Sequence, residues 1–181
     1  MLHLKNITAG NPKTAEQYQM TKRHSIVWLF SEDGKNWYEE QKNFASDTIK
    51  VAYNERGRVV WVGKDVTGIE PTNVSIIELP DITTNRRITA PGYWFYRNDE
   101  FVFDYKLKAE DERDALLKQV SIMTSEWEKD LLLGLISDED REKLKAYRIY
   151  AKSLQAMDFS IITDKTSYNA IEWPVSPEAS S

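Results

Sequence analysis

The spacing of apolar residues between Glu110 and Leu154 constrains the fold of this chain more than any other feature. In the first half of this stretch they recur at intervals of four, three, four and four residues, which keeps them on one side of a helix: Leu116, Val120, Met123, Trp127 and Leu131. Gly134 interrupts the pattern, and Ser137 precedes three acidic residues that favour the start of a second helix. The second apolar stripe consists of Leu144, Tyr147, Tyr150, Ala151 and Leu154. Because the link is short, the two helices must run antiparallel, and the sequence predicts a helical hairpin.

Two isoleucines lie outside these stripes. At about 100° per residue, Ile122 and Ile149 each point well over 90° away from the stripe of their own helix. A second contact surface would account for them, although single exposed isoleucines also occur without any function. A two-helix hairpin has little volume to bury, so its stripes need a third layer or a second copy of the chain. We therefore treat Ile122 and Ile149 as candidate partner-binding residues and expect self-association.

The first 88 residues carry the short apolar runs of β-strands. The run at residues 26–30 ends at the turn cluster 31–34, and the runs at 49–53 and 59–62 flank Gly57 as in a β-hairpin. A further run at residues 74–79 ends at Pro80. We expect a small antiparallel β-domain preceded by an irregular polar lead-in.

The polar segment 81–92 marks a boundary, so we divide the chain into domains 1–88 and 89–181. The second domain begins with a β-hairpin formed by residues 93–96 and 101–105, which we expect to pack on the helices. It ends in a tail rich in Ser, Pro and Glu that we expect to be disordered. The predicted fold class is α+β: a small antiparallel β-domain followed by a β-hairpin and an antiparallel helical hairpin.

The charge pattern and the composition exclude several functions. The net charge is −5, and the 24 basic and 29 acidic residues are interleaved, so no basic stripe is present that could neutralise nucleic-acid phosphates. The chain has no cysteine, and its N-terminus lacks the apolar run of a signal peptide or membrane span. We expect a cytoplasmic protein with neither a nucleic-acid nor a membrane partner.

No catalytic, metal-binding or cofactor-binding residues are predicted. His3 and His24 are the two histidines, and nothing in the sequence supplies partners for either. The acidic cluster 138–140 lacks the glycine and the later carboxylate of a calcium loop, and the seven glycines form no phosphate-binding loop. Cleavage of polysaccharide by a pair of carboxylates stays open as a function, because sequence alone does not reveal which acids flank a groove. We expect a protein that is not an enzyme.

The six tryptophans are the most unusual feature of the composition. Those of the N-terminal half could form a surface that binds sugar or protein, whereas aromatic residues in a small β-domain also commonly fill its core. The candidate partner-binding tryptophans are Trp28, Trp37, Trp61 and Trp94.

Short motifs along nearly the whole chain resemble those of the tail fibre assembly proteins of tailed bacteriophages and prophages. Each motif is weak alone, but their order and spacing together are specific. In chain order they are Leu4-Lys5-Asn6, Asn11-Pro12-Lys13-Thr14, Glu16-Gln17-Tyr18-Gln19, Ser31-Glu32-Asp33-Gly34-Lys35-Asn36-Trp37-Tyr38-Glu39-Glu40, Pro80-Asp81-Ile82-Thr83, Asn85-Arg86-Arg87, Ser137-Asp138-Glu139-Asp140-Arg141, Ala146-Tyr147-Arg148 and Ile171-Glu172-Trp173-Pro174.

This resemblance implies a non-enzymatic chaperone for the folding and trimerisation of a phage tail fibre. Domain 1–88 would then bind the C-terminal tip of the fibre, and domain 89–181 would promote assembly in the host cytoplasm. An alternative is a structural protein that is retained on the tail fibre of the virion, where it binds host-surface carbohydrate. A third class, an enzyme that trims surface polysaccharide, would need the carboxylate pair in a groove.

Overall fold

The computed structural model describes residues 1–180 and divides the chain into two compact units, Met1–Phe103 and a second unit that begins at Asp104. The first unit contains an antiparallel sheet and a β-hairpin, and the second contains two long helices. The predicted α+β class is therefore confirmed.

The first unit is built on a five-stranded sheet in the order β2-β1-β5-β3-β4. All four pairings within it are antiparallel. Because β1 pairs with β5, the first strand of the chain lies inside the sheet, and β2 and β4 are its edges. The strands are β1 His3–Gly10, β2 Trp28–Phe30, β3 Thr48–Asn54, β4 Val59–Gly63 and β5 Val74–Pro80.

Apolar side chains cover both faces of this sheet. Consecutive residues of a strand point to opposite faces, and Ile76 packs in one buried cluster whereas Ile77 packs against another. Leu4, Ile7 and Trp37 belong to the first cluster. The interior strand β3 is consequently buried at five successive positions, and this includes Lys50.

The predicted β-hairpin consists of β6 Trp94–Arg97 and β7 Glu100–Phe103, and it belongs to the first unit. The Tyr96 backbone N–H donates to the Gly57 carbonyl at 2.7 Å, and the Tyr96 ring stacks on Tyr53 with centroids 4.6 Å apart. The boundary predicted after residue 88 therefore falls too early. The packing of the hairpin on the helices stays a prediction.

The polar lead-in is not irregular. It contains β1 and the helix α1, Ala15–His24, whose N-cap Thr14 accepts a hydrogen bond from the Gln17 backbone N–H at 3.1 Å. Gln17 is the one buried residue of α1, so this helix has no apolar period from which to predict it. A four-residue helix, α2 Trp37–Glu40, follows the turn after β2.

The second unit contains the predicted helical hairpin, formed by α3 Tyr105–Leu133 and α4 Asp138–Gln155. Gly134 ends α3 with a φ of 69°, which glycine adopts readily, and the Ser137 hydroxyl caps α4 by accepting from the Asp140 backbone N–H at 3.1 Å. A short helix, α5 Lys165–Asn169, follows. The predicted helical hairpin is confirmed, and so are the predicted end of its first helix and start of its second.

Most of the predicted stripe lies in the core of the second unit, around Val120, Tyr147 and Leu154. Leu131 is the exception, because it lies near the end of the hairpin and is 46% exposed. The tail that we expected to be disordered forms a single 3₁₀ turn, Pro177–Ser180, that contacts α4. Ser181 lies outside the described residues.

Candidate partner-binding surfaces

The two edges of the sheet differ in whether another strand could pair with them. A turn covers the edge formed by β2: an isolated antiparallel bridge joins Phe30 to Asn36, and the Ser31 backbone N–H donates to the Lys35 carbonyl at 2.9 Å. Beside it, the Tyr38 hydroxyl donates to the Val27 carbonyl at 2.9 Å. This edge is closed to another strand.

The motif of residues 31–40 builds that covering turn. The Ser31 hydroxyl donates to Asp33 at 2.5 Å, and this bond together with Lys35 lowers the pKa of the Asp33 carboxyl. Gly34 supplies a φ of 84°, and the Asn36 side chain caps α2 by accepting from the Tyr38 backbone N–H at 3.0 Å. The role of these residues that is visible in the structure is therefore to close the β2 edge.

The edge formed by β4 is open over most of its length. An isolated bridge between Arg58 and Phe95 touches the chain just before β4, and among residues 1–180 β4 itself has β3 as its single strand partner. Val60 is the extra residue of a β-bulge, because the pairing shifts between Val59 and Trp61, and its side chain is 43% exposed. An unpaired edge of this kind can accept an extended segment of another chain.

Ion pairs of Asp81 hold the residue that follows β4, Lys64, close to the segment that follows β5. Asp81 forms ion pairs with Arg86 and with Lys64, each at 2.7 Å. Hydrogen bonds from Arg86 and Lys64 lower the pKa of Asp81 to about 2. The Asn85 side chain also donates to the Pro80 carbonyl at 2.8 Å, so the motif of residues 80–87 holds the end of β4 against the 3₁₀ turn 85–87.

The four candidate tryptophans occupy different environments. Trp37 is 2% exposed within the first core cluster, so its indole is a core side chain and not part of a surface. Trp28 is half-buried, and its indole N–H donates to the Thr21 hydroxyl at 2.8 Å. Trp61 and Trp94 are also half-buried, and each packs one side against a core cluster. The structure does not bring the four rings together into one face.

The helical hairpin exposes Ile122 and Ile149, which are 67% and 60% accessible. It also exposes a cluster that the sequence analysis did not identify, at the turn between α3 and α4: Leu132, Leu133 and Leu135 are 87%, 70% and 72% accessible. The run of leucines on both sides of Gly134 was the available signal, because consecutive residues of a helix cannot all face one core.

His3 lies beside a tyrosine of the sheet. The His3 Nε2 atom lies 2.7 Å from the Tyr53 hydroxyl, and desolvation lowers the pKa of His3. Within residues 1–180, no group of three His, Asp or Glu side chains is placed to hold a metal ion. In the same part of the chain, no helix combines the length and the apolar character needed to cross a bilayer.

Comparison with known proteins gives one consistent family. The family model described as "Caudovirales tail fibre assembly protein, lambda gpK" matches residues 39–178. The tail fiber assembly protein U' of Escherichia phage Mu is 44% identical over 184 residues, which covers 98% of this chain and 100% of that relative. The protein of the same name from Escherichia phage P1 has the same identity and coverage. The probable tail fiber assembly protein of Escherichia phage P2 is 38% identical with the same coverage.

Proposed function

This chain belongs to the Caudovirales tail fibre assembly protein family, and we propose that it is a chaperone that binds the C-terminal tip of a phage tail fibre. In this proposal, binding promotes folding and trimerisation of the fibre with its three chains in register. The site of action is the cytoplasm of the infected bacterium, and the protein acts without chemistry of its own.

The observation that carries this proposal is the open β4 edge in a protein of this family. Its unpaired backbone groups can hydrogen-bond to an extended segment, and the pleated strand offers side chains on both sides for specificity. Open edges promote aggregation, so natural sheet proteins usually cover them or place charged side chains on them. Here the β2 edge is covered, whereas β4 exposes an apolar side chain, Val60.

The partner's assembly explains why such a helper is useful. Three chains that form an intertwined trimer must pair over long sequence distances, which is slow and leaves strand edges and apolar surface exposed. A protein that holds the C-terminal tips starts pairing at one end and reduces the number of wrong registers. The fibre-binding role is therefore assigned to the first unit.

We assign the assembly role to the second unit. Its helical hairpin exposes Ile122 and Ile149 on the faces directed away from its own core, and these residues are the proposed contacts between copies of this chain. Copies held together in this way would raise the local concentration of the bound fibre tips.

Coexpression with the cognate fibre tests the proposal. The fibre is produced alone, with the intact chain, with Val60→Lys, or with Val175→Lys as a matched control. Val175 is exposed in the second unit and is not part of the sheet. A lysine at Val60 places a charge on the open edge, which disfavours strand addition and leaves the core intact.

We expect soluble fibre trimers with the intact chain and with Val175→Lys, and a yield reduced at least about tenfold with Val60→Lys. Equal trimer yields in all four cultures, including the fibre alone, contradict the chaperone function. Equal rescue by Val60→Lys and by the intact chain retains a chaperone but contradicts binding through β4. Recovery of this chain in stoichiometric amounts from purified virions supports the alternative of a tail-tip component.

A further inference from the structure

One face of the helical hairpin carries an open groove between α3 and α4, with a volume of about 610 Å³. Its apolar lining consists of Leu131, Leu132 and Leu144. Leu144 is 6% exposed and forms the floor, whereas Leu132 is 87% exposed and stands at the side. An exposed leucine beside a concave apolar surface is typical of a binding groove.

The rim of this groove is positively charged. Arg141, Lys145 and Arg148 line it, and their spacing of four and three residues places them on one side of α4. Within residues 1–180, Arg141 and Arg148 have no carboxylate within ion-pair distance, and Lys145 lies 3.6 Å from Glu142. Glu128 is the acidic residue of the lining, and it accepts a hydrogen bond from the Thr124 hydroxyl at 3.3 Å. The lining itself therefore carries three cations and one carboxylate.

A second groove between the same two helices has the opposite charge. Met123, Trp127 and Tyr147 give it an apolar floor. Its charged residues are three glutamates and one lysine, which lies 2.6 Å from Glu139: Glu139, Glu142, Glu178 and Lys143. The chain's own tail turn, Pro177–Ser180, contributes to the lining of this groove. The acidic surface that a second copy of the hairpin could offer to the basic groove is therefore already in contact with the tail.

We propose that the basic groove binds an amphipathic helix of another protein, with an apolar stripe and acidic flanks. A third helix fits between two antiparallel helices, where its apolar residues at intervals of three and four would contact Leu131, Leu132 and Leu144. Its carboxylates would then lie opposite Arg141, Lys145 and Arg148. A planar lipid surface cannot reach the recessed Leu144. This binding goes beyond the proposed function, because it does not require the partner to be a tail fibre.

Two synthetic peptides of about 18 residues, or five helical turns, test this site on the intact chain. Both carry leucine at the same helical spacing, and the remaining positions are mainly glutamate in one peptide and lysine in the other. Fluorescence anisotropy measures binding to the intact chain, to Leu132→Gln and to the double variant Lys145→Glu/Arg148→Glu. The control double variant, Lys118→Glu/Lys129→Glu, makes the same charge change at exposed positions of α3 outside the groove.

We expect the intact chain and the control to bind the acidic peptide at least about tenfold more tightly than the basic one. Leu132→Gln should weaken this binding, and Lys145→Glu/Arg148→Glu should reverse the preference. The proposal is overturned if neither peptide binds, if both bind equally, or if the charge-reversed variant keeps the original preference. It is also overturned if Leu132→Gln lowers the sedimenting mass of the chain, which would identify a second copy in the groove. Binding to anionic lipid vesicles without binding to the acidic peptide would equally contradict it.

Discussion

Replacing Glu78 with glutamine should destabilise the first unit more than most single polar substitutions. Glu78 is 5% exposed, and its carboxylate accepts hydrogen bonds from the Leu2 backbone N–H at 3.0 Å, the Ala45 backbone N–H at 2.6 Å and the Thr48 hydroxyl at 2.7 Å. It thus holds both the N-terminus and the segment before β3 onto β5. Lys50, 1% exposed, is its cross-strand neighbour and donates to the carbonyls of Ala45 and Thr48.

The magnitude follows from these contacts. A hydrogen bond to a charged group contributes about 1.5 to 3 kcal/mol, and a glutamine would retain part of the set through its amide oxygen. The substitution also removes a carboxylate charge that acts on the buried Lys50 ammonium. The two side chains form no ion pair and Asp65 also acts on Lys50, so this electrostatic loss adds to the hydrogen-bond cost without dominating it. We therefore expect Glu78→Gln to lower the free energy of unfolding by about 3 kcal/mol.

Urea unfolding followed by tryptophan fluorescence measures this loss. Four of the six tryptophans lie in the first unit, whereas far-UV circular dichroism is dominated by the long helices of the second, so the two signals separate the units. Glu55→Gln, at an exposed position in the β3–β4 turn, is the matched control and should change stability by less than about 0.5 kcal/mol. The double variant Lys50→Met/Glu78→Gln removes both charges and should recover at least about 1 kcal/mol.

Two results would refute this reasoning. A loss below about 1 kcal/mol for Glu78→Gln would mean that the carboxylate is neither buried nor essential to its three donors. A double variant less stable than Glu78→Gln would mean that the Lys50 charge does not contribute to the cost.

Three further predictions concern stability. The pKa of Asp81 lies at about 2, below its ordinary value of 3.8, so its stabilising effect is complete above about pH 4 and is lost as the pH falls towards 2. Asp81→Asn lacks this effect, and its acid unfolding, followed by fluorescence, should therefore occur at higher pH. Gly57→Ala should lower the free energy of unfolding, measured in urea, by more than about 2 kcal/mol, because φ is 79° and the new methyl group would clash with the Tyr96 carbonyl. An unchanged urea midpoint would contradict the packing of the 94–103 hairpin. Leu154 is 0% exposed, so Leu154→Ala should lower the free energy of unfolding, followed by circular dichroism, by about 2 to 5 kcal/mol. Leu132→Ala should lower it by less than about 0.5 kcal/mol, and equal losses in the two variants would contradict the assigned core.

The helical hairpin was predictable because its two helices are amphipathic and each has one buried face. The apolar spacing of Val120 and Trp127 fixes the side of α3, and Gly134 and Ser137 mark the turn. Exposure at the end of the hairpin was not predictable in the same way. Leu131 continues the stripe, but it lies at the end of the hairpin and is 46% exposed.

The sheet was predictable in its type but not in its order. Strand β1 pairs with β5 across about seventy residues, and no local pattern encodes such a distant pairing. Its pattern is further broken by a bulge near Asn6, which has a φ of 47°. Because strand order decides which strands are edges, the open edge at β4 could not be inferred from the sequence.

The tryptophans illustrate the same limit. Alternation along a strand separates its two faces, but it does not reveal whether a second layer covers each face. Here α2 carries Trp37 into the first core cluster, where it is enclosed, whereas the 94–103 hairpin places Trp94 at the margin of the second, where it is half-buried. The composition alone was equally compatible with a surface and with a core.

Binding of the fibre through β4 is the central claim, and hydrogen exchange tests it most directly. The intact chain is measured alone and after mixing with the C-terminal fragment of its fibre. Our account predicts slower exchange in Val59–Gly63 on mixing and no change in Trp28–Phe30, whose edge is already covered. Binding of the fibre fragment with unchanged exchange in Val59–Gly63 would contradict it.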